Sequence, residues 1–346
     1  MLPRIALTLG DVAGIGPEVV ARASCDARLP TWCRPIVVGH PEVLRRAVQK
    51  WGRGLDVQPV ERIDATTPEG NAIPCWNPGS DAAAAVPPGH NDPRAGRAAY
   101  ECLVAATRAA LADRVDAVVT APLSKAALHL AGLNYPGHTE ILAEACGVQD
   151  FAMMLYLPGI ECAGARHNLG VVHATLHTSI RSVPDLLTQP LILGKIRLIN
   201  RFLQTVGCPA PRIAVCALNP HAGEEGLFGD EEARIIAPAA RAAAAEGVNV
   251  TGPLPADTLF KRAVAGEFDG VVAMYHDQGH IALKLVGFDR AVNVTLGLPI
   301  VRTSPSHGTA FDIAWQGKAR PDGILEAIRV AALLAQVHRA SDVGSS

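Results

Sequence analysis

Residues 4–25, RIALTLGDVAGIGPEVVARASC, carry the pattern on which the fold turns. Residues 4–9 form a short apolar run of strand character, Gly10 and Asp11 break it, and Pro17 opens a helical pattern over residues 17–25. A proline at a helix start costs nothing, because its missing N–H would be unpaired there in any case. Strand, turn and helix recur in that order along the chain, which is how an α/β protein with a largely parallel sheet reads. The same reading predicts strands over residues 36–38, 115–120, 169–173, 212–218 and 270–275. It predicts helices over 41–51, 94–112, 139–146, 191–206, 231–246 and 323–337. Residues 66–93, rich in Pro, Gly and Asn with little periodicity, read as a long surface connection.

At 346 residues the chain exceeds one typical domain and has room for two lobes, each with its own core. Hydrophobic residues make up 49% and charged residues 18%, with a formal charge of −2, so no basic surface advertises nucleic acid or an anionic membrane. The eight cysteines, at 25, 33, 75, 102, 146, 162, 208 and 216, form no CxxC pair and read as reduced thiols of a cytoplasmic protein. The N-terminal apolar run is too short for a signal-peptide core, and no stretch approaches the ~20 apolar residues that a spanning helix needs.

Five polar turns follow predicted strands or precede predicted helices: PGHTE, HATLHTS, LNPHAGE, YHDQGH and RTSPSHGTAFDIA. Ligands of open α/β sheets bind beyond the carboxyl ends of the strands, so chemistry is expected there. His177, His221 and His276 each lie just past an apolar run, too far apart for a zinc finger and placed for three strand ends to bring together. Neutral imidazoles suit a divalent transition metal; a histidine in a turn serves equally as a solvated or capping residue, and spacing alone leaves both readings open. Asp257 and Asp277 could orient such imidazoles or act as acid or base, and an Asp in a turn is also an ordinary cap. In PGHTE, Gly137, His138 and Thr139 precede a helix whose free N–H groups could hold a phosphate or carboxylate, or Thr139 could head a capping box. Lys284, Asn293 and Arg302 follow in largely apolar surroundings, where a cation needs either an anionic partner or a route to solvent. AGIGPE is not a G-x-G-x-x-G fingerprint and no Walker A pattern is present, so a standard Rossmann site is not expected.

Read together, TLGDVAGIGPE, GHTE, LNPHAGEEGLFGDEE, GPLPADTLF, YHDQG, VNVTLGLPIVRTS and HGTAFDIA resemble, in order and over nearly the whole chain, the 4-hydroxythreonine-4-phosphate dehydrogenase family. The resemblance implies a two-lobed α/β/α fold of the isopropylmalate dehydrogenase type with the active site in the interlobe cleft. It implies a first lobe of residues 1–136 plus 304–346 and a second of 137–303 with the dimer interface. It implies NAD, one divalent metal (Zn, Mg, Co or Mn) per site, and a homodimer with shared active sites. Position by position, His177, His221 and His276 match the metal ligands, the last reaching in from the other subunit. His138, Thr139, Lys284, Asn293 and Arg302 match the contacts to a phosphorylated hydroxy acid. Ser304, His307, Gly308, Thr309 and Asp312 lie in the cofactor loop, where Asp312 would hold the adenosine ribose. Lys284, Asp257 and Asp277 are the candidates for acid/base catalysis.

His280, His173 and Trp315 depart from the pattern of the pyridoxine-biosynthesis enzyme and look more like the branch acting on D-threonate or D-erythronate 4-phosphate. The expected reaction is oxidation followed by decarboxylation of a 4-phosphorylated four-carbon acid. A metal-dependent aldolase on a sugar phosphate and a non-catalytic phosphosugar sensor also fit the bare motifs. A dihydrodiol dicarboxylate dehydrogenase of the same family is the remaining alternative.

Overall fold

The computed structural model describes residues 1–64, 71–162 and 164–343. The chain forms two compact units, Met1–Gln149 with Leu298–Ser346 and Asp150–Gly297. In chain order the strands are β1 Arg4–Thr8, β2 Arg34–Val38, β3 Asp56–Val60, β4 Ala72–Trp76, β5 Ala117–Thr120, β6 Ala152–Cys162, β7 Ala165–His173, β8 Ile213–Cys216, β9 Val250–Leu254, β10 Gly270–Ala273, β11 Val292–Leu296 and β12 Val301–Pro305.

The first unit holds β3-β4-β2-β1-β5-β12, every adjacent pair parallel. Its central strands β1 and β5 are buried almost throughout, as strands covered on both faces must be. After β1 the chain turns into the helix Gly16–Ser24 so tightly that a Cβ on Gly16 would lie 2.1 Å from the Leu9 carbonyl oxygen. Only glycine permits that approach, so the quoted stretch folds as its turn residues demand.

The unit boundaries fall elsewhere than the resemblance implied, since residues 137–149 and 298–303 belong to the first unit. Packing is the reason. Ile141 and Leu142 of the helix His138–Cys146 are buried with Leu103 and Leu128, and β12 pairs with β5 through Val301 and Ala117. The supposed connection over 66–93 contains β4 and the short 3₁₀ turn Asp81–Ala85; residues 65–70 lie outside the described residues. Its Pro74 is tolerated on an apolar strand of only five residues, too short to show a period.

The second unit is mixed, with the order β11-β6-β7-β10-β8-β9. β6 runs antiparallel to both β11 and β7, and β7, β10, β8 and β9 are parallel. Leu155, Leu169, Val171, Ala214, Val271 and Leu283 are among the residues of its core. β6 escapes the sequence pattern because Pro158 and Gly159 interrupt it, at the register shift between Leu157 and Ile160. The run predicted as a strand to residue 275 stops at Ala273, and a helix, His276–Gly287, follows at once. The cysteines are free, and among the described residues no helix is long and apolar enough to cross a membrane.

Candidate active site

In the first unit, β5, β12 and the helix His138–Cys146 bring together three of the residues singled out in the sequence. The helix starts on Gly137, whose backbone is extended and which supplies no side-chain cap. Thr139 therefore does not head a capping box, and the first-turn N–H groups keep the positive end of the helix dipole available. Arg302 does not snorkel. It is 2% exposed on β12, and its Nη2 donates to Thr120 Oγ1 at 2.7 Å. Burial pulls its guanidinium down to about 9, while the nearby Glu140 carboxylate opposes that pull. His138 is held well below the usual imidazole range, first by burial, then by the charges of Arg302 and Lys125, against a hydrogen bond with the Ala121 backbone. The ring is neutral at physiological pH. One fixed buried cation, a neutral imidazole, a threonine hydroxyl and an uncapped helix start are groups that can receive a small oxyanion.

The loop that follows β12 carries the predicted cofactor residues. Ser304 is buried on the strand itself; His307 Nδ1 lies 3.2 Å from the Gly308 carbonyl oxygen. Thr309 accepts a hydrogen bond through its carbonyl from the Ile15 amide at 3.0 Å, which ties the loop to the turn after β1. A Cβ on Gly308 would have nothing within 4 Å, and Asp312 is exposed. Open space beside Gly308 and an outward carboxylate fit a ribose and its hydroxyl groups. Trp315 anchors the far end, its indole donating to the Val12 carbonyl at 3.0 Å.

The second unit holds the histidines. His177, past the end of β7, and His276, first residue of its helix, line one hollow of about 470 Å³ with their ring centroids 6.0 Å apart. His276 Nδ1 lies 2.6 Å from Asp277 Oδ1, so Asp277 orients this imidazole. His221 is not gathered with them. It sits in a run of five positive-φ residues, His221 to Glu225, with its ring 6.5 Å from Phe228. Buried Glu232 secures that left-handed turn by accepting from the Leu218 and Asn219 amides, each at 2.8 Å, and from Asn219 Nδ2 at 3.0 Å. Among the described residues no three His, Cys, Asp or Glu form a group that could hold a metal ion. His177 and His276 of one chain thus stand together, whereas the resemblance has His276 reaching in from the other subunit.

His280 and His173 form a second shelf under His276. The His280 ring stacks on that of His276 at 3.8 Å, and its Nδ1 is 3.0 Å from His173 Nε2 and 3.2 Å from the His276 carbonyl. His173 Nδ1 faces the Met153 carbonyl at 3.4 Å. Carbonyl oxygens only accept, so both Nδ1 atoms carry the protons and His173 Nε2 accepts from His280. Burial, with neighbouring histidines, pushes His173 down to about 3 and His280 to about 4, so both are neutral. Lys284, on the same helix, is half-buried with its ammonium lowered by burial. Asn293, on β11, has a buried Oδ1 with no hydrogen-bond partner among the described residues. Asp257 is exposed in the first turn of the helix Ala256–Val264. Sequence reading assigned no part in the site to Glu232 or to Lys125, which lies just beyond β5; a charged residue right after a strand end was the one signal for Lys125.

A buried cation beside an uncapped helix start in one α/β unit and a neutral histidine cluster in the other are chemistry that can take a small anionic molecule. The family model described as pyridoxal phosphate biosynthetic protein PdxA matches residues 31–331. A 4-hydroxythreonine-4-phosphate dehydrogenase of Geobacter metallireducens is 45% identical over 97% of this chain and 96% of its own. A D-threonate 4-phosphate dehydrogenase of Pectobacterium atrosepticum is 43% identical over 96% and 99%. The crystal structure of a 4-hydroxythreonine-4-phosphate dehydrogenase from Klebsiella pneumoniae, 45% identical, superposes with a TM-score of 0.84 over 96% of this chain and all of that one. The chain belongs to the PdxA family.

Proposed function

We propose that the chain is an NAD- and divalent-metal-dependent dehydrogenase that oxidises and decarboxylates a 4-phosphorylated four-carbon hydroxy acid. The observation that carries this reading is Arg302, buried beside the uncapped helix start at His138 and Thr139. A buried guanidinium beside free helix-start N–H groups presents a fixed positive charge that suits a substrate phosphate.

When bound, NAD⁺ would take the hydride and a divalent ion would supply Lewis acidity toward the developing alkoxide and the later enolate. Ser304, His307, Gly308, Thr309 and Asp312 would hold the former, and His177, His221 and His276 the latter. His138, Thr139 and Arg302 fix the phosphate end, which orients the reacting carbon. Lys284 is our candidate for the group that takes the hydroxyl proton and returns one to carbon after carbon dioxide leaves. Burial already lowers its ammonium, bringing it nearer the operating pH than an exposed lysine. Asp277 holds His276, and Asp257 is a further acid/base candidate.

We also propose a homodimer in which the partner completes the metal site. One feature supports it: the helix that starts at His276 exposes Ile281, Leu285 and, just beyond its end, Phe288. Relatives named for the hydroxythreonine and the threonate phosphates are similar to nearly equal extents. The His173 and His280 pair favours the threonate branch. NADH formation on D-threonate 4-phosphate and 4-hydroxy-L-threonine 4-phosphate, side by side with and without added divalent metal, tests all of this. Faster NADH formation on the former is expected; no NADH from either would refute the dehydrogenase reading.

A further inference from the structure

Lys125 belongs to none of the groups assigned so far. It is the first residue of the helix Lys125–Leu130, directly after Ser124, whose hydroxyl caps that helix by accepting from the Ala127 amide at 3.2 Å. This helix follows β5, the strand whose Thr120 receives Arg302. The lysine stem therefore runs beside the start of the helix His138–Cys146. A methyl built on Gly137 would stand 3.7 Å from Lys125 Cε and 3.6 Å from Glu140 Oε2. Gly137 has an extended backbone that any residue could adopt, so its missing side chain leaves a gap between a cation and a carboxylate at the helix start. The Lys125 charge is felt at His138.

Charge counting gives this placement its meaning. Arg302 contributes one positive charge and Glu140, close enough to act on it, one negative; His138 is neutral. Those three sum to zero, which is a poor welcome for a phosphate dianion. Lys125 is the cation that makes the receptor net positive. It is exposed, and it makes no ion pair or hydrogen bond among the described residues, so no internal bond must break for it to engage a ligand.

We propose that Lys125 is a phosphate-binding residue whose ammonium closes over a phosphate seated at His138 and Thr139, across from Arg302. This rests on the reading of those residues as a phosphate receptor. The test uses Lys125→Met, which keeps the stem and removes the charge, and Lys125→Arg. Inorganic phosphate binding is measured by calorimetry, and KM and kcat are measured on the 4-phosphorylated acid and its dephosphorylated counterpart. Removing one charge-assisted hydrogen bond to the phosphate should weaken phosphate affinity about tenfold and raise KM about tenfold, with kcat changed far less. Turnover of the dephosphorylated acid should fall much less, and Lys125→Arg should recover most of the loss. Unchanged phosphate affinity and KM in Lys125→Met would overturn the assignment while leaving the receptor reading intact. A wild-type protein that neither binds phosphate nor distinguishes the two acids would overturn the receptor reading, and this inference with it.

Discussion

Replacing Asp11 by Asn should stabilise the protein at neutral pH and do nothing of the kind in acid. Asp11 is fully buried in the turn after β1, where its Oδ1 accepts from the Ala13 amide at 2.9 Å and its own amide donates to the Pro122 carbonyl at 2.9 Å. Its Oδ2 is buried with no hydrogen-bond partner among the described residues. Burial raises the carboxyl from 3.8 to about 6, opposed by the Ala13 bond and reinforced by the charge of Asp92. A shift of roughly two units corresponds to about 3 kcal/mol between the two protonation states. The group costs nothing below the unfolded value of 3.8, where both states hold the proton. As pH rises through about 6 the folded state is left with an unpaired buried charge, and the stability present in acid is lost. Asn keeps the shape and the Ala13 bond and removes the charge, but it places a buried NH₂ at the Oδ2 position, a cost of about 1 kcal/mol. The expected net gain is ~1–2 kcal/mol at pH 7.5, fading to zero or slightly below by pH 4. Urea unfolding followed by circular dichroism at steps from pH 4 to 8 measures it. A difference that does not change with pH, or a loss at pH 7.5, would show that Oδ2 is paired in solution and that the reasoning fails.

Arg302→Lys should raise KM for a phosphorylated substrate by about tenfold or more, because an ammonium cannot reproduce the planar fork that reaches Thr120 and a ligand together; steady-state kinetics decides. Glu232→Ala removes the acceptor of three hydrogen bonds beneath the left-handed turn of His221. It should cost the second unit about 2–4 kcal/mol and weaken divalent-metal binding, both readable by thermal unfolding with and without metal. Leu285→Glu, on an 83% exposed apolar position, should leave the fold intact and shift the molecule toward monomer in light scattering; an unaltered mass would remove this face from the interface.

The sequence by itself determined the α/β class and the position of most long helices, because turn residues and apolar runs act locally. Gly16 and Pro17 dictate the turn after β1 whatever surrounds them. It also marked, through the ordered motifs, residues that the fold places together: Arg302 beside Thr120, His138 at a helix start, His177 facing His276. Strands without a local signal were missed. β6 is broken by Pro158 and Gly159, and β4 lies in a segment whose composition reads as loop, so only pairing with neighbouring strands makes them strands. Whether Arg302 reaches solvent or stays buried could not be read from its apolar neighbours, since burial is a property of what packs over β12. The neutral state of His173 and His280 depends on desolvation and on each other's proximity across more than a hundred residues. That Lys125 lies alongside Gly137 is likewise decided by how the helix after β5 packs. Tertiary structure alone settles these because charge, desolvation and packing act through space, and the order of residues along the chain does not encode distance.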